Sequence, residues 1–213
     1  SNKEKVYEFA SAAEEEYGGI DILINNAGYV DGNELLNAED EALEKTVDVN
    51  LNAVIYTIRA FLHSMYNKNN GIIVNISSAS STLGVPKLSV YTATKWAVWG
   101  FTESMRLEAL SKGKDGIHFA TIHPSYIATG MFEGAKLGFF GNLLAPLISS
   151  HDKVAKAIVN DAILKRKNRV MLPKTVNLNL LLRGIMPDKL FQKMMIMIGA
   201  HKSMDEWYGR KKL

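Results

Sequence analysis

Three residues carry the clearest chemical signal in this sequence: Ser78, Tyr91 and Lys95. Tyrosine and lysine stand four apart in Tyr91-Thr-Ala-Thr-Lys95, so on a helix their side chains stack on one face. An ammonium beside a phenol favours the phenolate and lowers its pKa. At ~5 Å and an effective dielectric of ~20 the attraction is roughly 3 kcal/mol. That equals about two pKa units, which moves a phenol toward working pH. Ser78 closes the apolar run Gly71-Ile-Ile-Val-Asn-Ile-Ser-Ser78 and can donate a hydrogen bond to the oxygen the phenol serves. The chemistry this suits is proton transfer to or from an alcohol or carbonyl oxygen. A bare Tyr-x-x-x-Lys also fits an exposed helix face, so its company decides.

The elements that must hold these groups surround them. Residues 3–17 form a helix with Val6, Phe9, Ala10, Ala13 and Tyr17 on one face, ended by Gly18-Gly19. Ile20 to Ile24 is a short apolar strand with no polar alternation, which suits a parallel sheet covered on both faces. Asn25-Asn26-Ala27-Gly28 closes it, as a plain turn or as a ligand loop at a carboxyl strand end. A long helix starts at Asn37-Ala-Glu-Asp40 and runs to about Asn67 on Leu43, Val47, Leu51, Val54, Ile58, Leu62 and Met65. Asn50 inside it is either an exposed helix residue or an unwound, water-binding point facing the site.

Ile72 to Ser77 is the second strand. Ser80 to Leu88 is a loop, and the helix carrying Tyr91 and Lys95 reaches about Ser111. Ile117 to Ile122 is the third strand and opens into the loop His123 to Thr129. Residues 130–148 set Gly130, Gly134, Gly138 and Gly141 among Met131, Phe132, Phe139, Phe140, Leu143 and Leu144. This segment is expected to be a mobile apolar lid over a substrate pocket. A helix opens at Ser149 with Asp152 in a capping-box-like position, and Arg169 to Pro173 is the fourth strand. Residues 176–213 are a C-terminal helical extension with two short amphipathic helices, covering the pocket or a partner surface. Contact with a membrane surface is the lesser reading. The strand–helix alternation specifies an α/β fold, a doubly wound parallel sheet in one domain.

Bulk properties narrow the function classes. The 213 residues fit one domain with its own core. Hydrophobic content of 47% with 22% charged residues excludes a disordered or fibrous chain. A net charge of +3 is too mild to imply a nucleic-acid partner. Lys165-Arg166-Lys167 and Arg210-Lys211-Lys212 read as a solvated helix end and tail. The absence of cysteine leaves no disulfide framework and no thiolate metal site, and it is compatible with a cytoplasmic location. His63, His118, His123, His151 and His201 lack ligand spacing and read as surface or core residues, so no metal is expected. No signal-peptide pattern is present, and no apolar run reaches the ~18 residues needed to span a bilayer.

Asn25-Asn-Ala-Gly28, Asn50, Ser78, Tyr91-x-x-x-Lys95 and Pro124 with Thr129 occur in one order along the chain. That ordered set resembles the short-chain dehydrogenase/reductase family. The resemblance implies a Rossmann-like sheet, NAD or NADP as cofactor, and interconversion of an alcohol with a ketone or aldehyde. By it, Tyr91 is the catalytic acid/base, Ser78 orients the substrate oxygen, and Lys95 lowers the tyrosine pKa and binds the nicotinamide ribose. Asn50 supports a water relay to the lysine. Asn25, Asn26, Ala27 and Gly28 line the cofactor, and Pro124, Ser125, Ile127 and Thr129 hold its nicotinamide end. The helices of residues 40–67 and 90–111 are expected to pack into a homodimer or homotetramer. The tail Met204-Asp-Glu-Trp-Tyr-Gly209 is similar to members acting on retinoids, steroids and long-chain alcohols, which points to a lipophilic small-molecule substrate.

Two departures stand out. Position 125 is Ser where the family has Gly. No Gly-x-Gly phosphate turn occurs in the chain, so the N-terminal strands of the family fold are expected to be missing from it. The strand Ile20 to Ile24 would then be a bare apolar edge. The expectation is a retained part of a longer oxidoreductase. The alternative is a non-catalytic truncated form acting as an interaction or oligomerisation module.

Overall fold

The computed structural model describes residues 1–209. The basic run Arg210-Lys211-Lys212 lies outside the described residues, as do the side chains of Phe140, Leu143 and Leu144. Four parallel strands form one sheet in the order β1 (Ile22–Asn25), β2 (Gly71–Ile76), β3 (Ile117–Pro124) and β4 (Arg169–Leu172). The helices are α1 (Lys3–Tyr17), α2 (Asp40–Val47), α3 (Ala53–Lys68), α4 (Ser89–Ser111), α5 (Phe139–Leu144), α6 (His151–Ala157), α7 (Val176–Ile185) and α8 (Asp188–Met197). Each of the expected strands forms, with ends shifted by one or two residues.

Alternation along β2 builds two cores, one on each face. Ile73 turns toward Val54, Ile58 and Met65 of α3 and Val98 of α4. Val74, with Ile72 and Ile76 beside it, turns toward Val154 and Ala157 of α6 and Ile158 just beyond it. Each fully buried aliphatic side chain contributes roughly 1.5–3 kcal/mol, and β2 and β3 are apolar on both faces because both are covered. Helices on both faces make the sheet doubly wound.

β1 departs from the expectation of full cover. Leu23 packs against the α1 and α3 layer, but Ile22 and Ile24 are 44% and 42% exposed. They face the side of α6, whose core spans β2, β3 and β4 and stops short of β1. The expected helix from 37 to 67 is also divided. A π-helical stretch, Asp48–Asn52, separates α2 from α3. The capping box at Ser149 does not form: Ser150 is the N-cap of α6 and makes no side-chain cap bond.

Candidate active site

The strand tips place the chemistry. At the end of β2, Ser77 Oγ donates to the Lys95 carbonyl at 2.8 Å, tying the strand tip to α4. Ser78 follows, as the cap of a short 3-10 turn (Ala79–Thr82) whose Ser80 amide donates to Ser78 Oγ at 3.1 Å. Tyr91 and Lys95, one helical turn apart on α4, are both buried, with Lys95 Nζ 5.6 Å from the centre of the tyrosine ring. Lys95 Nζ donates to the Ile76 carbonyl at 2.9 Å. The three expected residues therefore converge.

Their electrostatics differ from the simple pair argument. The spacing predicts a phenol lowered by the ammonium. Burial instead pushes Tyr91 well above the usual phenol range, while its hydrogen bond with Ser78 pulls the other way. Burial also lowers Lys95, to about 8. Withdrawal from water penalises both charged forms and is the largest cause of both shifts. At neutral pH Tyr91 is thus a neutral acid and Lys95 still carries its charge.

Ser78, Tyr91 and Ser125 line a cavity of about 100 Å³ that opens to solvent. Its other walls are mostly apolar and come from Leu88, Phe132, Leu182, Met194 and Ile198. Phe132 packs edge-on to Tyr91 at 5.6 Å and to Tyr126 at 5.4 Å. Gly28 lies near Lys95. A Cβ there would stand 3.5 Å from Asn50 Oδ1, 3.6 Å from Met131 Cε and 4.0 Å from Lys95 Nζ, all ordinary contact distances, so Gly28 lies within van der Waals reach of the ammonium.

Asn50 is buried in the π-helical stretch, which rules out the exposed alternative. Its Oδ1 accepts from Tyr29 N and its Nδ2 donates to Tyr29 O, both at 2.8 Å, which locks the loop after Gly28. Its side-chain bonds thus go to the loop and to Thr94 rather than to Lys95. Widened turns of this kind are frequent at functional sites.

The remaining expected residues separate into groups. Asn25 is a brace: it donates to Asn75 Oδ1 at 2.8 Å and accepts from Thr57 Oγ1 at 2.7 Å. Asn25, Asn26 and Ala27 line an open groove between β1 and the first turns of α1. Pro124 ends β3, and the Ser125 amide donates to Leu172 O at 2.7 Å. Ile127 pairs with Ile148 and packs on the α6 core. Thr129 is exposed, its hydroxyl 3.4 Å from His151 Nδ1. In the expected lid, Phe132, Leu137, Gly141 and Ala145 do line the cavity.

Sequence reading misses three supports. Asn75, inside β2, joins Asn25 to Thr102 of α4. Ser81 Oγ donates to Ser78 O at 2.6 Å, which spends its only proton. His123 Nδ1 must then donate to Ser81 Oγ at 2.8 Å, and Thr121 Oγ1 donates to Nε2 at 2.8 Å. Burial lowers His123 to about 3, so this brace stays neutral. Tyr126 is the third support. Ser203 Oγ already donates to Ala200 O, so Tyr126 OH donates to Ser203 at 2.9 Å. None of the three has a local sequence signal, because the partners that matter come from other elements.

The family model described as short chain dehydrogenase matches residues 1–137. The chain belongs to the short-chain dehydrogenase/reductase family. It is 37% identical to mouse epidermal retinol dehydrogenase 2 over 100% of this chain and 67% of that protein. It therefore spans about two thirds of that relative's length. A metagenomic short-chain oxidoreductase solved in complex with NADP is 28% identical, with a TM-score of 0.54, covering 58% of this chain and 55% of the other. A short-chain dehydrogenase from Burkholderia cenocepacia is 23% identical with a TM-score of 0.70, covering 92% and 76%, and attests the fold.

Proposed function

We propose that this family member interconverts a lipophilic alcohol and its carbonyl compound with a nicotinamide dinucleotide. The observation that carries this reading is the position of Tyr91, a buried phenol that lines an apolar cavity together with Ser78 and has Lys95 one helical turn away. The retinol dehydrogenase relative and the NADP-bound neighbour support the substrate class and the cofactor.

When bound, the dinucleotide supplies or accepts the hydride. The residues here fit its nicotinamide end: Lys95 offers an ammonium, the Gly28 loop lies beside it, and Ser125 and Pro124 stand at the adjoining strand tip. Tyr91 OH moves the proton at the substrate oxygen, and Ser78 Oγ fixes that oxygen beside it. Phe132, Leu182 and Met194 exclude water from the reacting atoms and give an apolar chain its contacts. His123 and Ser81 hold the Ser78 backbone.

A panel of retinoid, steroid and long-chain alcohols, each with NAD and with NADP, tests the reading. Turnover with one of the two dinucleotides is the expected result. A chain that binds a dinucleotide yet turns over none of the panel contradicts it.

A second reading has its own observation. β1 pairs only with β2 among the described residues, and its outer edge is open. That edge suits pairing with another strand, as in an interaction module. Dinucleotide titration separates the two: no binding at any concentration favours the module.

A further inference from the structure

α7 and α8 are apolar on two sides. Their inner sides line the cavity through Leu182 and Met194, with Ile198 just past the end of α8. Their outer sides are apolar as well. Leu178, Leu181 and Ile185 fall at i, i+3 and i+7, one stripe along α7, and Leu181 and Ile185 are 59% and 69% exposed. On α8, Leu190 and the 70% exposed Met197 repeat at i and i+7. Leu178 belongs to both sets, a wall residue of the cavity that is also exposed. The outer stripe therefore reaches the cavity. An exposed apolar ridge of this kind marks a binding surface.

Charge selects the partner. Residues 174–202 hold five lysine and arginine side chains, Lys174, Arg183, Lys189, Lys193 and Lys202, against one acidic, Asp188. Arg183 is engaged within the protein, over Trp96 at 4.8 Å and Phe191 at 5.6 Å. Lys189 and Lys193 are exposed, one turn apart on α8, and have no ion-pair partner among the described residues. A second copy docked face to face would set lysine against lysine. An apolar ridge bordered by lysines suits the boundary between anionic headgroups and acyl chains. No helix among the described residues is long and apolar enough to cross a membrane, so the fit is to lying on the surface.

We propose that the outer face of α7 and α8 rests on an anionic lipid bilayer, with the cavity opening toward the acyl region. The sequence reading ranks such contact second, and the exposed stripe reverses that order. A lipophilic alcohol then passes from lipid into the cavity at Tyr91 with little exposure to water.

Flotation of the 213-residue chain with phosphatidylcholine vesicles, with and without phosphatidylserine, tests this directly. The chain is expected to float with the anionic vesicles. The double variant Leu181→Glu, Ile185→Glu should bind both kinds at least about tenfold more weakly. Lys189→Glu with Lys193→Glu should remove the preference for phosphatidylserine, about tenfold or more at roughly fivefold per lysine. Leu36→Glu, at an exposed position away from this face, should change nothing. Thermal melts confirm that each variant folds. Absence of binding to either vesicle overturns the proposal, as does binding that survives the Leu181, Ile185 change. An oligomer dissolved by that same change would assign the face to protein contact and overturns it too. Flotation requires no turnover, so this result stands apart from the oxidoreductase reading.

Discussion

β1 and β3 are both short strands of one parallel sheet, and they end in opposite surroundings. β3 lies between β2 and β4 and is buried along its length up to the last residue. Among the described residues β1 has one strand neighbour, and two of its three isoleucine and leucine side chains face outward. The difference teaches that an apolar run states only a need for cover. Whether the need is met depends on layers supplied from elsewhere. The chemistry follows the same division. Ser78, Tyr91 and the cavity belong to the well-covered side, whereas Asn25, Asn26 and Ala27 line the open groove beside β1.

Equal substitutions at the two strands should give unequal costs. Ile122→Asp, on β3, buries a charge in a dry core and should cost more than about 4 kcal/mol, enough to unfold many domains of this size. Ile24→Asp on β1 should cost no more than about 1 kcal/mol, because the side chain already meets water. Urea denaturation measures both, and comparable losses would break the comparison.

Lys95 sharpens it through pH. The change from the ordinary 10.5 to about 8 corresponds to a burial cost of about 3 kcal/mol at neutral pH. Below pH 8 both the folded and unfolded chains hold the lysine proton, and the folded chain bears the full cost. Between about 8 and 10.5 the folded chain binds fewer protons than the unfolded one, so stability rises with pH. Lys95→Met should therefore be more stable than wild type at pH 7, with the gap closing toward pH 10.5. Denaturation of both chains across that range checks it, and a gap independent of pH would show that the lysine is not desolvated. The smallest expected effect is at the edge. Ile24→Lys should leave the melting temperature nearly unchanged while reducing turbidity on heating, since lysine blunts an open strand edge.

Much of this architecture is readable from the residues alone. Tyr91 and Lys95 are neighbours by helical spacing, and Ser78 follows a strand whose β-branched run is unambiguous. The direction of the Tyr91 shift is not readable. Spacing supplies the ammonium, but burial comes from Phe132, Tyr126 and Met204, which reach the ring from distant parts of the chain. Asn75 and His123 escape sequence reading for the same reason. Each is a polar residue inside an apolar strand, and its partner, Thr102 or Ser81, sits on another element. Asn50 can be placed on a helix but not on a face, because the π-helical stretch changes the angular count that periodicity assumes.

The proton-transfer role proposed for Tyr91 is tested most directly by measuring dinucleotide-dependent oxidation of a retinoid alcohol by the chain and by its Tyr91→Phe variant. The phenyl ring keeps the contacts with Phe132 and loses only the hydroxyl. Turnover should fall at least about a hundredfold with the melting temperature and dinucleotide affinity little changed. Turnover within a few-fold of wild type would contradict the account.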